Sequence, residues 1–412
     1  MTILWCEAID DAPFWREAID DEMHSIMSNN TWILSDLPPG CKSFGCRWIF
    51  RKKLKSDGTL DKYKARLVAK GFTQLKDIDY FDTFAPVARM TSIRLMIALA
   101  AIHSLVIHQM DVKTAFLNED LDEKVYMKQP EGFVVPGQEH KVCKLLKSLY
   151  GLKQAPKQWN EKFRRVMISN GYSINGGDIC IFSKFQEKSG VIICLYVDDM
   201  LIFGTDIERV KETKFFLASQ FEMKDLGEAD VILGIKIIRS ANGLTLTQSI
   251  YNEKILKRFG HFDDKPAPTP FDPSIKLIRN SSDVLDQLTY SQIVGSLIYA
   301  MHCTRPDICY AVGTLSKFTS NPRVEHWNTL IHVLRYLKGT INVSLHYSTF
   351  PVVLEGYSDA TWNSDPNDSK SVTAWIFTLA RAGSLGNQRS KMYYSFNHGV
   401  RIYSYVFCWR RS

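Results

Sequence analysis

Apolar residues recur every four positions at Trp15, Ile19, Met23 and Met27 and stop at Asn29-Asn30, which predicts an amphipathic helix over 14–28. After the PPG turn at 38–40, two basic stretches flank Ser56-Asp57-Gly58. An Asp-Gly pair between extended segments signals a hairpin, so the basic residues are expected on a two-stranded ribbon. Thr91 and Ser92 stand where a helix running to about His103 needs a capping hydroxyl, and SLVIHQM then leads as a strand to Asp111. The apolar runs VIICLYV (191–197) and MLIF (200–203) are separated only by Asp198-Asp199, which predicts a hairpin with two acids at its turn. Residues 264–274 hold four of the fifteen prolines and read as a linker, so a boundary is expected at 265–285. Beyond it, YSQIVGSLIYAMH, DICYAVGTLSKF and HWNTLIHVLRYLKG predict three helices, followed by strands in LHYS and LEGYSDATW. The mixture is of the α+β class.

The 412 residues are enough for two to four domains, each with its own core. A hydrophobic content of 45% with 23% charged residues excludes wholesale disorder and a coiled-coil rod. The longest apolar run, Leu95 to Ile102, has 8 residues, too few to span a bilayer. The N-terminus lacks a basic region followed by an apolar one, so no secretory signal is expected and no membrane partner. Nine scattered cysteines with no CxxC pair read as reduced thiols of an intracellular protein, with no zinc site.

Charge changes the picture by its placement. Between Arg47 and Lys70 there are nine basic residues against two acidic ones, which accounts for the whole net charge of +7. A solvated hairpin fits that concentration, and so does a surface for a phosphate-bearing partner.

Adjacent aspartates at a turn are common for solubility alone. Here they sit between strongly apolar strands, where two carboxylates about 4 Å apart repel by about 4 kcal/mol at an effective dielectric near 20. A divalent cation relieves that repulsion, and hard carboxylate oxygens select Mg²⁺ or Mn²⁺. With Asp111 joining Asp198 and Asp199, the composition is that of a two-metal phosphoryl-transfer centre. Lys64 and Arg66 on the ribbon are suited to hold a triphosphate.

These residues lie in strings that resemble, in order, the reverse transcriptase of copia-type LTR retrotransposon polyproteins. They are NTWILSDLPPG, CRWIFRKKLKSDG, YKARLVAKGFTQ, FAPVARMTSIR, HQMDVKTAFLNEDL, VYMKQPEGF, KSLYGLKQAPKQW, YVDDMLIFG, MKDLGEADVILGI, TRPDICYAV, HWNTLIHVLRYLKGT and GYSDATW, from about Trp15 to Ala380. The resemblance implies a right-hand polymerase, RNA template, DNA primer and deoxynucleoside triphosphates as partners, and two Mg²⁺ or Mn²⁺ ions. It makes Asp111, Asp198 and Asp199 the catalytic, metal-holding acids. Phe116 takes the place of the aromatic gate against a ribose 2′-hydroxyl; taken alone, this Phe reads as core packing. Lys64 and Arg66 meet the triphosphate. Gly151, Lys153, Gln154 and Pro156 lie beside template and incoming nucleotide, and MKDLGEADVILG lies where the primer is gripped. The implied units are an N-terminal helix (1–30), fingers and palm (31–265), a linker with thumb and connection helices (266–345) and a partial RNase H-like domain (346–382). Cytoplasmic virus-like particles, and association with itself or with other retrotransposon proteins, follow from the same resemblance.

Three departures stand out. Glu119 and Asp77 occupy positions where the family has glycine, a strained exchange if the backbone there is left-handed. In GYSDATW, Asp359 matches the first RNase H acid while Thr361 replaces the second. From 383 to 412 there is no Asp or Glu at all, and the family match is lost. Another reading frame over Met392–Tyr403 gives a string like the family's continuation, so a frameshift within 382–392 and an aberrant, partly disordered, RNase H-silent tail are expected.

Overall fold

A computed structural model describes residues 11–54, 59–275, 277–280, 285–349, 353–361, 371–380 and 382–390. The chain opens with helix α1 (Ala12–Ser28), which has Pro13 in its first turn. Trp15, Ile19 and Met23 are buried as the periodicity predicts, but Ile26 closes the apolar stripe and Met27 is exposed. The stripe lies on a basic ribbon, β3 (Cys46–Leu54) paired with β4 (Leu60–Ala69), and the Trp15 ring meets Phe50 and Tyr63 edge-on at 5.4 and 4.6 Å. The Ser56-Asp57-Gly58 turn lies outside the described residues. Strands β1 (Trp32–Ser35), β2 (Ser43–Phe44), β6 (Asp120–Lys128) and β7 (Val142–Lys147) form a neighbouring sheet in the order β1-β7-β6-β2. It shares a core with α1 and the ribbon through Leu67, Leu117, Met127 and Leu145.

The central sheet has six strands: β5 (Val106–Val112), β8 (Ser173–Ile174), β9 (Ile181–Gln186), β10 (Ser189–Tyr196), β11 (Asp199–Gly204) and β12 (Met223–Glu228), in the order β12-β5-β11-β10-β9-β8. Both faces are covered, which is why 191–203 reads as nearly continuous apolar sequence and not as alternation. Helices α3 (Ala155–Ser169) and α4 (Ile207–Gln220) bury Phe163 and Leu217 against Met110, Ile193 and Ile202. Helix α2 (Met90–His103) covers Ile107, Leu201 and Phe203 on the other face. Thr91 and Ser92 do not cap it, because the helix already begins at Met90; instead Asp178 accepts from the Arg89 backbone N–H (3.0 Å) and the Ser92 hydroxyl (2.7 Å).

A smaller sheet follows, β13 (Val231–Ile232), β14 (Ile235–Ser240) and β15 (Gly243–Thr247), to which β16 (Leu345–Ser348) returns from much later in the chain. Between them lie α5 (Ser249–Arg258), α6 (Gln287–Cys303), α7 (Cys309–Leu315) and α8 (Val324–Gly339), packed around Leu256, Leu297, Leu315 and Leu334. DICYAVGTLSKF is not one helix: 3₁₀ turns at Pro306–Ile308 and Ser316–Phe318 bracket α7. Residues 264–274 hold no helix or strand. Strands β17 (Glu355–Thr361), β18 (Ser371–Leu379) and β19 (Ala382–Ser390) make a last sheet, so part of the expected aberrant tail, 383–390, pairs as a strand. The remainder, 391–412, lies outside the described residues. Among the described residues no helix is long and apolar enough to cross a membrane, and the seven cysteines are free thiols.

Candidate active site

Strands β5 and β11 run antiparallel with Asp111 directly opposite Asp199. Side chains so placed have Cβ atoms roughly 5 Å apart, and like charges there repel. The acids are not both in the turn, as the sequence suggests. Tyr196 pairs with Asp199, so the two-residue turn is Val197-Asp198, and Asp199 already belongs to β11. The Asp198 carbonyl accepts from Val112 N at 2.9 Å, which fixes the turn to the end of β5. On this face of the sheet α2 covers Ile107, Leu201 and Phe203, while Asp111 and Asp199 at the far end are only half-buried.

Burial raises the Asp111 carboxyl above its ordinary range, and Asp198 adds to the effect. Burial raises Asp199 as well, opposed by the Gln109 amide, which donates to its Oδ1 at 3.1 Å; Asp198 and Asp111 push further upward. Lys224 of β12 pairs with Asp111 from the other side and pulls it back, as do Lys53 and Lys64 from the ribbon.

The ribbon's register explains its chemistry. Trp48, Phe50, Ala65 and Leu67 alternate toward the core. The opposite face therefore carries Arg51 across from Lys64, Lys53 across from Lys62, and Arg66 across from Ile49. Cations directly opposite one another destabilise a hairpin unless a polyanion lies over them. The Arg66 guanidinium sits 4.1 Å from the centre of the Tyr150 ring, and Phe116 meets the same ring edge-on at 5.1 Å. Phe116, Tyr150 and Arg66 thus form one stack.

Gly151 is left-handed (φ +94°), and a Cβ there would lie 2.2 Å from the Ala69 carbonyl oxygen. Only glycine allows this loop to press against the end of β4. Lys153 is exposed and donates its backbone N–H to Gln74 Oε1 at 2.8 Å. Gln154 stands apart from the group: it is buried, and its amide is engaged by Gln74 (3.1 Å) and the Asp79 carbonyl (3.2 Å). Pro156 lies in the first turn of α3. Asp359, on β17 and far along the chain from the three acids, pairs through its backbone with Ala374 of β18. Sequence reading missed Tyr150, Gln109, Trp159 and Lys224. The alternation Gln109, Asp111 along β5 was the available signal for Gln109; Lys224 needed the strand register, and Tyr150, in a turn, and Trp159, whose indole on α3 donates to the Val197 carbonyl, needed the tertiary packing.

The family model for reverse transcriptase (RNA-dependent DNA polymerase) matches residues 29–273. The chain belongs to that family. More narrowly, its relatives are copia-type retrotransposon proteins. It is 46% identical over 374 residues to the retrovirus-related Pol polyprotein from transposon TNT 1-94 of Nicotiana tabacum, covering 88% of this chain and 28% of that protein. It is 42% identical over 368 residues to the counterpart from transposon RE1 of Arabidopsis thaliana, covering 89% of this chain and 25% of that one. The chain thus spans about a quarter of the length of these relatives. With the putative transposon Ty5-1 protein of Saccharomyces cerevisiae it shares 35% identity over 276 residues, 66% of this chain and 90% of that protein.

Proposed function

We propose that the chain is an RNA-directed DNA polymerase that adds deoxynucleotides to a primer 3′-hydroxyl on an RNA template. In this reading the central sheet is the palm, the ribbon and the β1-β7-β6-β2 sheet the fingers, and the smaller sheet with α5–α8 the thumb and connection. The carrying observation is the register of Asp111 against Asp199, with Asp198 in the adjoining turn and a cationic ribbon face close enough to bias Asp111. Three carboxylates crowded on one sheet end, two of them raised by burial and repulsion, fit Mg²⁺ or Mn²⁺. Among the described residues no three acidic, histidine or cysteine side chains stand in a ready-made ligand group, so the reading rests on Asp111 facing Asp199 across the ladder and not on a preformed site. When bound, two such ions supply activation of the hydroxyl and charge stabilisation at the phosphorus.

The protein's own residues do the rest. Lys64 and Arg66 hold the triphosphate, Phe116 walls off a 2′-hydroxyl, and Tyr150 keeps Phe116 and Arg66 in one stack. Gly151 lets the backbone lie close beside the incoming nucleotide with Lys153, while Gln154 acts indirectly by tying down Gln74. Gln109 orients Asp199. The test is Mg²⁺-dependent primer extension: Asp198→Asn is expected to abolish it with the fold retained by circular dichroism. Extension at the parent's rate would sink the assignment.

A second reading has one observation of its own. The chain has no acid after Asp368, and Thr361 stands where a second RNase H acid is expected. A transposon remnant that binds nucleic acid through the ribbon and turns nothing over fits that tail. Filter binding and extension measured on one preparation separate them, since binding without incorporation selects the remnant.

A further inference from the structure

Helix α1 lies outside the stretch 29–273 matched by the family model, yet it forms the floor of the basic ribbon. On it Glu22 is 9% exposed, in the company of Ile19, Met23 and Ile26. A carboxylate in such surroundings is costly unless something compensates it. Glu22 Oε1 accepts from the Leu67 backbone N–H at 3.3 Å, on the edge of β4 that β3 leaves open. Two residues on, the same edge is closed by Ala69 N donating to the Tyr150 carbonyl at 2.7 Å. Burial raises Glu22, and the Leu67 bond, Arg66 and Lys64 draw it back toward the ionised form.

We infer that Glu22 is a positioning residue for the triphosphate cations: it clamps the open edge of β4 and supplies the counter-charge that lets Lys64 and Arg66 stand side by side. The inference rests on the polymerase reading for what those cations hold. Around Lys64 the ribbon contributes Arg66, Lys53, Lys62 and, directly across, Arg51; β5 contributes Asp111, and α1 contributes Glu22. Burial, with Arg66, Lys53 and Lys62, brings the Lys64 ammonium down to about 8, and Glu22 opposes that fall. With Glu22 neutralised, Lys64 gives up its proton at lower pH, and a triphosphate loses one of its two cationic partners.

The experiment titrates Lys64 by NMR after reductive ¹³C-methylation of the full chain. In Glu22→Gln the Lys64 midpoint is expected to shift to lower pH, since the one carboxylate of α1 that opposes its fall is removed. The rise of KM for deoxynucleoside triphosphate with pH is expected to move down with it, while kcat at saturating nucleotide and pH 7 stays within about twofold. In a Lys64→Arg background the KM shift disappears, because arginine does not titrate in this range. An unchanged Lys64 midpoint, or a loss confined to kcat, overturns the inference. The midpoint needs no turnover, so a parent protein that extends no primer defeats the polymerase reading while Glu22 is still decided. Should Glu22→Gln fail to fold, the parent's Leu67 amide resonance reports on the same carboxylate. A second inflection at the Lys64 midpoint, absent in Lys64→Met, supports the coupling, and a single inflection overturns it.

Discussion

Val197 adopts φ +60°, a conformation that a β-branched side chain rarely takes, at the first position of the turn that carries Asp198. It is held there from outside: the Trp159 indole N–H donates to the Val197 carbonyl at 2.7 Å from the buried face of α3. Trp159→Phe keeps most of the ring and removes the donor. It is expected to cost about 1–2 kcal/mol in urea unfolding and to slow primer extension by roughly tenfold, since the acid on the turn loses its placement. Unchanged extension would show that the turn holds itself. Asp77 and Glu119, the two positions where the resemblance implies glycine, also part company here. Asp77 is left-handed (φ +64°), whereas Glu119 is extended (φ −109°) and pairs with Arg165 at 3.0 Å. Asp77→Gly is therefore expected to stabilise the fold by up to about 1 kcal/mol, and Glu119→Gly to destabilise it, both read as urea midpoints. That Asp111 ends a strand and that Asp198 and Asp199 lie where one hairpin turns was legible from the chain, since charge between apolar runs is unusual. Which of them sits in the turn was not, because that depends on a one-residue register.

At the scale of elements, α8 starts with a built-in sensitivity to acid. The His326 ring stacks on Phe318 with centroids 3.9 Å apart; its Nδ1 accepts from Arg323 N at 3.2 Å and its Nε2 lies 3.0 Å from the Ile278 carbonyl. Both nitrogens are committed to the neutral ring, and burial lowers its proton affinity below that of a free histidine. Protonation then favours the unfolded chain, so the stabilisation is complete above about pH 6.5 and is lost as pH falls below it toward the folded value. The urea midpoint is expected to drop between pH 7.5 and 5.5, and His326→Gln to flatten that drop; an equal slope in the variant would exclude this ring as a source. Helix α1, the ribbon and the 191–203 hairpin were legible because their apolar period is set by one dominant packing partner. The start of α2 was not, since Asp178, a residue distant in sequence that no local pattern reveals, holds the Arg89 N–H and the Ser92 hydroxyl there. The breaks around α7 were hidden for a related reason: continuous apolar sequence does not distinguish α from 3₁₀ geometry.

For the molecule as a whole, charge placement decides how it meets a long polyanion. The outward ribbon face carries Arg51, Lys53, Lys62, Lys64 and Arg66, so affinity for a primer-template is expected to fall steeply with salt and to vary little with sequence. Replacing Arg51 and Lys62 by Gln is expected to reduce the slope of log K against log salt by roughly one for each phosphate no longer neutralised, equally for unrelated sequences. A slope that does not change would place the polyanion elsewhere. The clustering of basic residues was plain in the chain. The way they line up on one face, with Glu22 beneath them, required the pairing of β3 with β4.

The return of β16 to β15 has a consequence for the chain's integrity. Residues 248–344, the helical excursion, leave and rejoin one sheet edge, so their two ends are tethered without any covalent help. A protease that nicks the backbone within 264–274 is thus expected to leave both fragments comigrating on a sizing column, parting only in denaturant.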